Sequence, residues 1–243
     1  MEKAFGDIPA DLKSRLLSAA VPTISAVLFK KGFNSRFFAG LQPLSEKASR
    51  FCGPAWTVRA IPVREDLRAK IASGELPSLN RLAFDAAPAG SVLVCSTGGH
   101  PDVAVMGDIM TTSLMVRGVA GAVVDTGVSD ANLIAQMAFP LVCTGSAPVS
   151  SFAKVMVADH GLPIGIGDVA VFPGDIIVGD PNGAVCIPRD IADAVADAAV
   201  EQEALEAFIL ARVQSGAPLE GTYPPNAETL AAYRAWRATQ TAQ

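Results

Sequence analysis

The sequence predicts an α/β fold, and two patterns carry that reading. Between residues 91 and 143, short apolar runs alternate with helix-compatible segments, a rhythm that favours parallel strands joined by right-handed crossovers. From residue 155 to 187 the apolar runs shorten and are separated by tight Gly, Pro and Asn turns, the mark of a hairpin-rich β layer. The chain has 243 residues, half of them hydrophobic and 18% charged, which is enough to bury a sizeable core.

Taken in order, residues 9–20 and 25–31 read as helices joined through Val21, Pro22 and Thr23, with the second ending near Gly32. A buried strand at 91–95 leads through a loop at 96–101 to a helix over 102–117, which Gly118 stops. A strand at 120–124, a short helix at 129–137 and a strand at 140–143 complete the alternating run. Strands at 155–158, 169–172, 175–178 and 184–187 form the hairpin layer. After Pro188, residues 189–214 carry Ala, Glu and Leu at helical spacing, and Gly216 ends that helix. Residues 1–188 thus form one α/β domain that includes the N-terminal helices, and residues 189–243 form a C-terminal helix and tail. The tail aromatics Tyr223, Tyr233 and Trp236 call for partners on the body or on a neighbouring subunit.

The net charge of -5 argues against a nucleic-acid footprint, which needs clustered Lys and Arg; the densest basic stretch is Lys30 and Lys31 with Arg36. No apolar run reaches the roughly 18 residues of a membrane span. The first 20 residues carry acids where a signal peptide would be basic, so a cytoplasmic location is expected. Cys52, Cys95, Cys143 and Cys186 lie more than 40 residues apart, mostly inside apolar runs, and read as buried thiols with no zinc motif. Gly98 and Gly99 lack the spacing of a dinucleotide fingerprint, no phosphate-loop or GxSxG motif occurs, and no methyl-donor motif is recognisable. With only His100 and His160, a serine-histidine triad or multi-histidine metal site is hard to assemble. Carboxylates, backbone amides and a hard cation remain.

Two segments offer them. Asp108 follows Gly107 and opens a turn near the helix, and after twenty intervening residues Ser129 and Asp130 follow the strand ending at Val124. Loops at the carboxyl ends of strands in an α/β sheet converge on one crevice, so the two segments can meet.

Those blocks resemble the family of 4-hydroxy-4-methyl-2-oxoglutarate aldolases and regulator of ribonuclease activity A (RraA) proteins. The resemblance rests on Gly107-Asp108, on RGVAGAVVD from Arg117 to Asp125 followed by Gly127, Val128 and Asp130, and on PGDIIVGDPNGAVCIP from Pro173 to Pro188. GPAWTV from Gly53 to Val58 and VPTIS from Val21 to Ser25 also match its early blocks. It implies a swivelling β/β/α sandwich assembled as a homotrimer or homohexamer. It further implies a divalent cation, Mg2+ or Mn2+, held by Asp130, with a carboxylate from a neighbouring copy, Glu206 or alternatively Glu203. Amides of Gly107, Asp108, Ile109 and Met110 would bind the substrate's carboxylate. The family signature places an arginine where this chain has Ser129, and a second family arginine falls on Thr144. The activity implied is lysis of a 2-oxo acid through an enolate, either retro-aldol release of pyruvate or oxaloacetate decarboxylation, with catalytic roles for Asp108, Ser129 and His100. The alternative is a non-catalytic regulator that binds a protein such as a ribonuclease.

Several of these residues have structural readings as well. Ser129 and Asp130 can cap a helix. Glu201, Glu203 and Glu206 can be a solvated helix face, and Asp175 and Asp180 turn residues. Asp125 reads as ordering its strand-end loop, His100 as a proton donor or substrate contact, His160 as a turn residue, and Arg117 as a partner of its helix dipole.

Overall fold

The computed structural model describes residues 6–44 and 50–240. Its strands are β1 (Gln42–Pro43), β2 (Phe51–Pro62), β3 (Val92–Ser96), β4 (Gly121–Val124), β5 (Leu141–Cys143), β6 (Val155–His160), β7 (Ile164–Ile166), β8 (Val169–Val171), β9 (Ile176–Asp180) and β10 (Gly183–Ile187). Its α-helices are α1 (Ala10–Ser18), α2 (Val21–Lys30), α3 (Glu65–Ser73), α4 (Leu79–Asp85), α5 (Asp108–Val116), α6 (Ala131–Ile134), α7 (Ala192–Gln214) and α8 (Ala227–Gln240).

The organising strand, β2, is one that the apolar pattern did not mark, because Gly53 and Pro54 interrupt it. Its residues serve three neighbours in turn. Phe51–Pro54 pair antiparallel with β9, Ala55–Arg59 pair parallel with β3, and Val58–Pro62 pair antiparallel with β6 after a register shift at Arg59 and Ala60. β4 and β5 continue the parallel run beyond β3, β1 closes that edge, and β10 folds back on β9, giving the order β1-β5-β4-β3-β2-β9-β10. β7 and β8 make a separate hairpin. The alternating first half is therefore parallel and the second half antiparallel, as their spacing predicts.

β3, β4 and β5 are buried at every position and apolar except for Ser96, because both faces are covered. Leu93, Cys95, Ala122, Val124, Leu141 and Cys143 pack in a core that also takes Ala83 and Phe84 of α4, Leu114 of α5 and Ile134 of α6. Between them, Val92, Val94, Val123 and Val142 turn to the other face, where they share a second core with Ile177, Ala184 and Cys186 of β9 and β10 and with the β7–β8 hairpin. The outward face of β9 and β10, Ile176, Val178, Val185 and Ile187, is sealed by α1, α2 and α7. Strand periodicity thus sorts alternate residues into cores on opposite sides of the sheet.

Phe51 knits these layers at the start of β2. A Cβ on Gly179, its register partner, would lie 2.1 Å from the Phe51 ring, and one on Gly121 would lie 2.9 Å from it. The ring occupies the space that two missing side chains leave.

α2 begins at Val21, earlier than its expected start, with Pro22 in its first turn, where a missing N–H costs nothing. Ala20 and Val21 have no side-chain cap of their own. Instead the Ala20 N–H donates to Glu203 Oε1 at 2.7 Å and the Val21 N–H to Asp180 Oδ2 at 2.9 Å, so two remote carboxylates satisfy the helix start. Asp180 also holds its own turn through the Asn182 N–H, and Asp175 accepts from the Phe172 N–H, so both act in turns as expected.

Two expectations need correction, and one segment carried no expectation. Residues 102–107 are not helical: Ala104 bridges to Gly127 and Ser150, and α5 starts only at Asp108. The helix expected at 129–137 shrinks to the four residues of α6. The segment between β2 and β3 carries α3 and α4, which lack a marked apolar stripe; α3 buries no residue. The C-terminal tail is largely the helix α8, seated on α7 by Phe208, Tyr233 and Trp236 with ring centroids 5.5–6.0 Å apart. All four cysteines are buried and free, as expected, and burial pushes the Cys52 thiol up to about 12. No single helix among the described residues is long and apolar enough to cross a membrane.

Gly179→Ala is expected to cost about 1–3 kcal/mol, the usual range for overpacking a filled core. Urea denaturation should show that cost shrink when Phe51 is first replaced by Leu, because the two substitutions act on one contact.

Candidate active site

The loops after β3 and β4 are built by a buried carboxylate. Asp125 follows β4 and is 5% exposed. Its Oδ1 accepts from the Thr97 N–H and from the Thr97 hydroxyl, both at 2.7 Å, and its Oδ2 accepts from the Gly99 N–H at 3.0 Å. Asp125 therefore orders the strand-end loop, as its position predicts.

With that loop in place the chain returns through 103–107 beside 127–130. Ser129 N–H donates to the Met106 carbonyl at 3.1 Å and Val128 N–H to the Gly145 carbonyl at 2.9 Å. Gly107 is the point of closest approach: a Cβ there would lie 2.4 Å from Ser129 Oγ and 2.9 Å from Asp130 Oδ2. Glycine is favoured here by the volume of the Ser129 and Asp130 side chains and not by its dihedral angles, since its backbone is extended.

Asp130 is the one non-glycine residue with positive φ among the described residues, at φ 54° and ψ 32°. Aspartate tolerates that conformation better than most residues, and such backbone geometry tends to cluster at functional sites. Asp130 occupies the cap position of α6 but makes no side-chain capping hydrogen bond, so the capping reading does not account for its carboxylate.

At the start of α5, Asp108 Oδ1 accepts from the Ile109 N–H at 2.7 Å. A carboxylate of the chain itself thus engages one of the first-turn amides expected to hold a substrate carboxylate. The N–H groups of Asp108 and Met110 remain directed from the first turn, where the helix dipole favours an anion. Ile109 itself is 80% exposed.

Gly107, Met110 and Ser129 share a crevice of about 240 Å³ with Asn80, Ser150 and Phe152. Asn80 and the residues at 148–152 went unnoticed in the sequence, having no motif around them. Asn80 Oδ1 is buried without a hydrogen-bond partner, while its Nδ2 donates to the Val105 carbonyl at 3.3 Å. An acceptor left unsatisfied beside a crevice is a natural place for a donor on a ligand.

Other predicted residues fall elsewhere. His100 is half-buried on the loop beside Asp102, whose carboxyl is held below the usual range by Lys154 and, less strongly, by His100; it is not among the residues that line the crevice. Glu203 is committed to the Ala20 N–H. Glu206, on the α7 layer, accepts from Gln202 Nε2 at 2.7 Å. Among the described residues no group of three or more His, Cys, Asp or Glu could hold a metal ion. Thr144 stands beside this region with a buried, unpartnered hydroxyl. His160 stacks on Trp56 with ring centroids 5.0 Å apart, and Arg117 is bonded to the Asp85 carbonyl.

Residues 21–186 match the RraA-like family model described as Aldolase/RraA. The chain is similar to DlpA of Legionella pneumophila, 29% identical over 214 residues, which covers 88% of this chain and 33% of DlpA, so it spans about a third of that relative. A Halalkalibacterium halodurans protein named "Putative 4-hydroxy-4-methyl-2-oxoglutarate aldolase" is 30% identical over 164 residues, 68% of this chain and 71% of that one. Among solved structures, an uncharacterized protein from Pseudomonas syringae pv. tomato superposes with a TM-score of 0.76 at 26% identity, covering 90% of this chain and all of the other. Streptomyces coelicolor RraAS2, described as an unusual member of the RNase ES inhibitor RraA protein family, gives 0.74 at 27% identity, covering 84% and 98%.

Asp125→Ala is expected to lower stability by about 2–4 kcal/mol, because three donors lose one charged acceptor. Thermal or chemical unfolding measures the loss, and amide hydrogen exchange should localise the loosening to residues 97–99.

Proposed function

This chain belongs to the RraA-like family of aldolases and RraA proteins, and from that premise we propose that it is a lyase acting on a 2-oxo acid. The reaction would be retro-aldol release of pyruvate or decarboxylation of an oxaloacetate-like substrate. The observation that carries the reading is the meeting at Gly107 of the α5 first turn with Ser129 and Asp130. The first turn of α5 and a carboxylate not used for capping come together there; Gly107, Met110 and Ser129 line the crevice, while Asp108 and Asp130 stand outside its lining.

The cofactor this reading implies is a divalent cation, Mg2+ or Mn2+. Within one copy the described residues offer the ion a single exposed carboxylate, Asp130, an oxygen donor that suits a hard cation keeping most of its waters. Asp130 would hold the ion, together with Glu206 from a neighbouring copy in a homotrimer or homohexamer. When bound, it would polarise the 2-oxo carbonyl.

The chain's own groups do the rest. The Asp108 and Met110 amides orient the substrate carboxylate, while the Asp108 side chain fixes the turn that aims them. Ser129 offers one neutral donor toward the oxygen that gains charge as the bond breaks. The resemblance expects an arginine at that position, and a planar charged fork would stabilise the charge by about 3–4 kcal/mol more. Turnover of such substrates is therefore expected to be slow.

The likeness to RraAS2 supports a second reading, a scaffold that binds a protein partner with no turnover of its own.

Pyruvate release from 4-hydroxy-4-methyl-2-oxoglutarate and from oxaloacetate, with Mg2+ or Mn2+ and with chelator, separates the two. Asp130→Asn, which keeps the backbone preference and removes the charge, is expected to abolish metal-dependent turnover, and Ser129→Arg to raise it about a hundredfold. A wild type that is silent on both substrates until Ser129→Arg activates it would favour the protein-binding reading. Turnover indifferent to chelator and to Asp130→Asn would sink the metal-dependent lyase.

A further inference from the structure

Phe152 is a wall shared by two cavities. On one side is the crevice that holds Ser129 and Gly107; the other is a cleft of about 550 Å³ whose lining includes Glu65, Arg68 and Arg81. The α4 residues Asn80 and Arg81 divide between them, Asn80 lining the crevice and Arg81 the cleft. Arg68 Nη1 donates to the Phe152 carbonyl at 3.4 Å, which brings its guanidinium to the divide. Arg64 on the same arm is paired with Asp66, whereas neither Arg68 nor Arg81 takes part in an ion pair among the described residues. Glu65 is the one carboxylate lining the cleft, so two guanidinium groups against one carboxylate leave a net single positive charge.

We propose that Arg68 and Arg81 are specificity-determining residues, receiving a carboxylate at the far end of a substrate whose 2-oxo head lies in the crevice. The proposal rests on the lyase reading for the identity of the head. A guanidinium fork matches a carboxylate in two parallel hydrogen bonds, and the single net charge suits a monoanionic carboxylate better than a dianionic phosphate. The positive charge that Ser129 does not supply at the head is thus found at the tail, where it contributes to binding and not to the chemical step. α3 has no buried residue, so Arg68 is placed for a ligand without disturbing a core, and Arg81 projects from α4, whose buried residues are Ala83 and Phe84.

Calorimetric titration with 2-oxoglutarate and with 2-oxobutanoate, both with Mg2+, tests this on the full chain. The two acids share the head, and only the first has a far carboxylate. The wild type is expected to prefer 2-oxoglutarate by at least about tenfold, and Arg68→Ala and Arg81→Ala each to reduce that preference by about tenfold, with Arg81→Lys recovering part of it. A wild type without the preference, or variants that keep it in full, overturns the proposal. An intact, arginine-dependent preference with no pyruvate release from any substrate would leave this subsite standing while the lyase reading falls, and binding of neither acid overturns both.

Discussion

Everything in this fold depends on the seating of one strand between unlike neighbours. β2 is antiparallel to β9 at its start and parallel to β3 further on, and the change of partner is possible only where the layers approach closely. Phe51 fills that junction against Gly121 and Gly179, and Gly53 brings β2 against the Gly90 carbonyl. Large aromatic volume opposite glycine sets the distance between the layers, and with it the direction in which β3 and β4 deliver their loops. The crevice is a downstream product of that spacing, since its walls are the chain that leaves those two strands.

At the crevice the same device recurs on a smaller scale. Gly107 lets two segments come together so that the start of α5 lies beside Ser129 and Asp130, while Asp125 prevents the intervening loop from relaxing. The two aspartates have opposite fates. Asp125 is buried and consumed by three donors. Asp130 is exposed, held in a left-handed backbone, and left out of the capping that its position would suggest. Asp130 thus carries a backbone cost with no capping hydrogen bond in return.

The sequence made much of this legible, unevenly. Continuous apolar runs such as those at 91–95 and 120–124 showed buried strands because both faces need covering, and the Gly107-Asp108 and Ser129-Asp130 blocks showed the family likeness on which the proposed site rests. β2 was hidden because Gly53 and Pro54, which serve close approach in the folded chain, read as breaks in a linear pattern. The start of α5 was misplaced because residues 102–107 favour helix locally but are captured by bridges to Gly127 and Ser150. α3 escaped notice because a helix that buries no residue carries little periodicity, and α4 because its seven residues are too few to show one. Spacing along α7 does not separate Glu203 from Glu206; in the fold Glu203 accepts from the Ala20 N–H and Glu206 from Gln202.

The four thiols lie within the cores and strands, and burial raises the Cys52, Cys95, Cys143 and Cys186 ionisations alike. A thiolate is the reactive form, so the native chain is poorly reactive toward alkylating reagents while folded. A cysteine introduced on the open surface of α3 would therefore stand alone as a labelling position, and a fluorophore or spin probe attached there would report on the arm beside Phe152 without first removing any native residue.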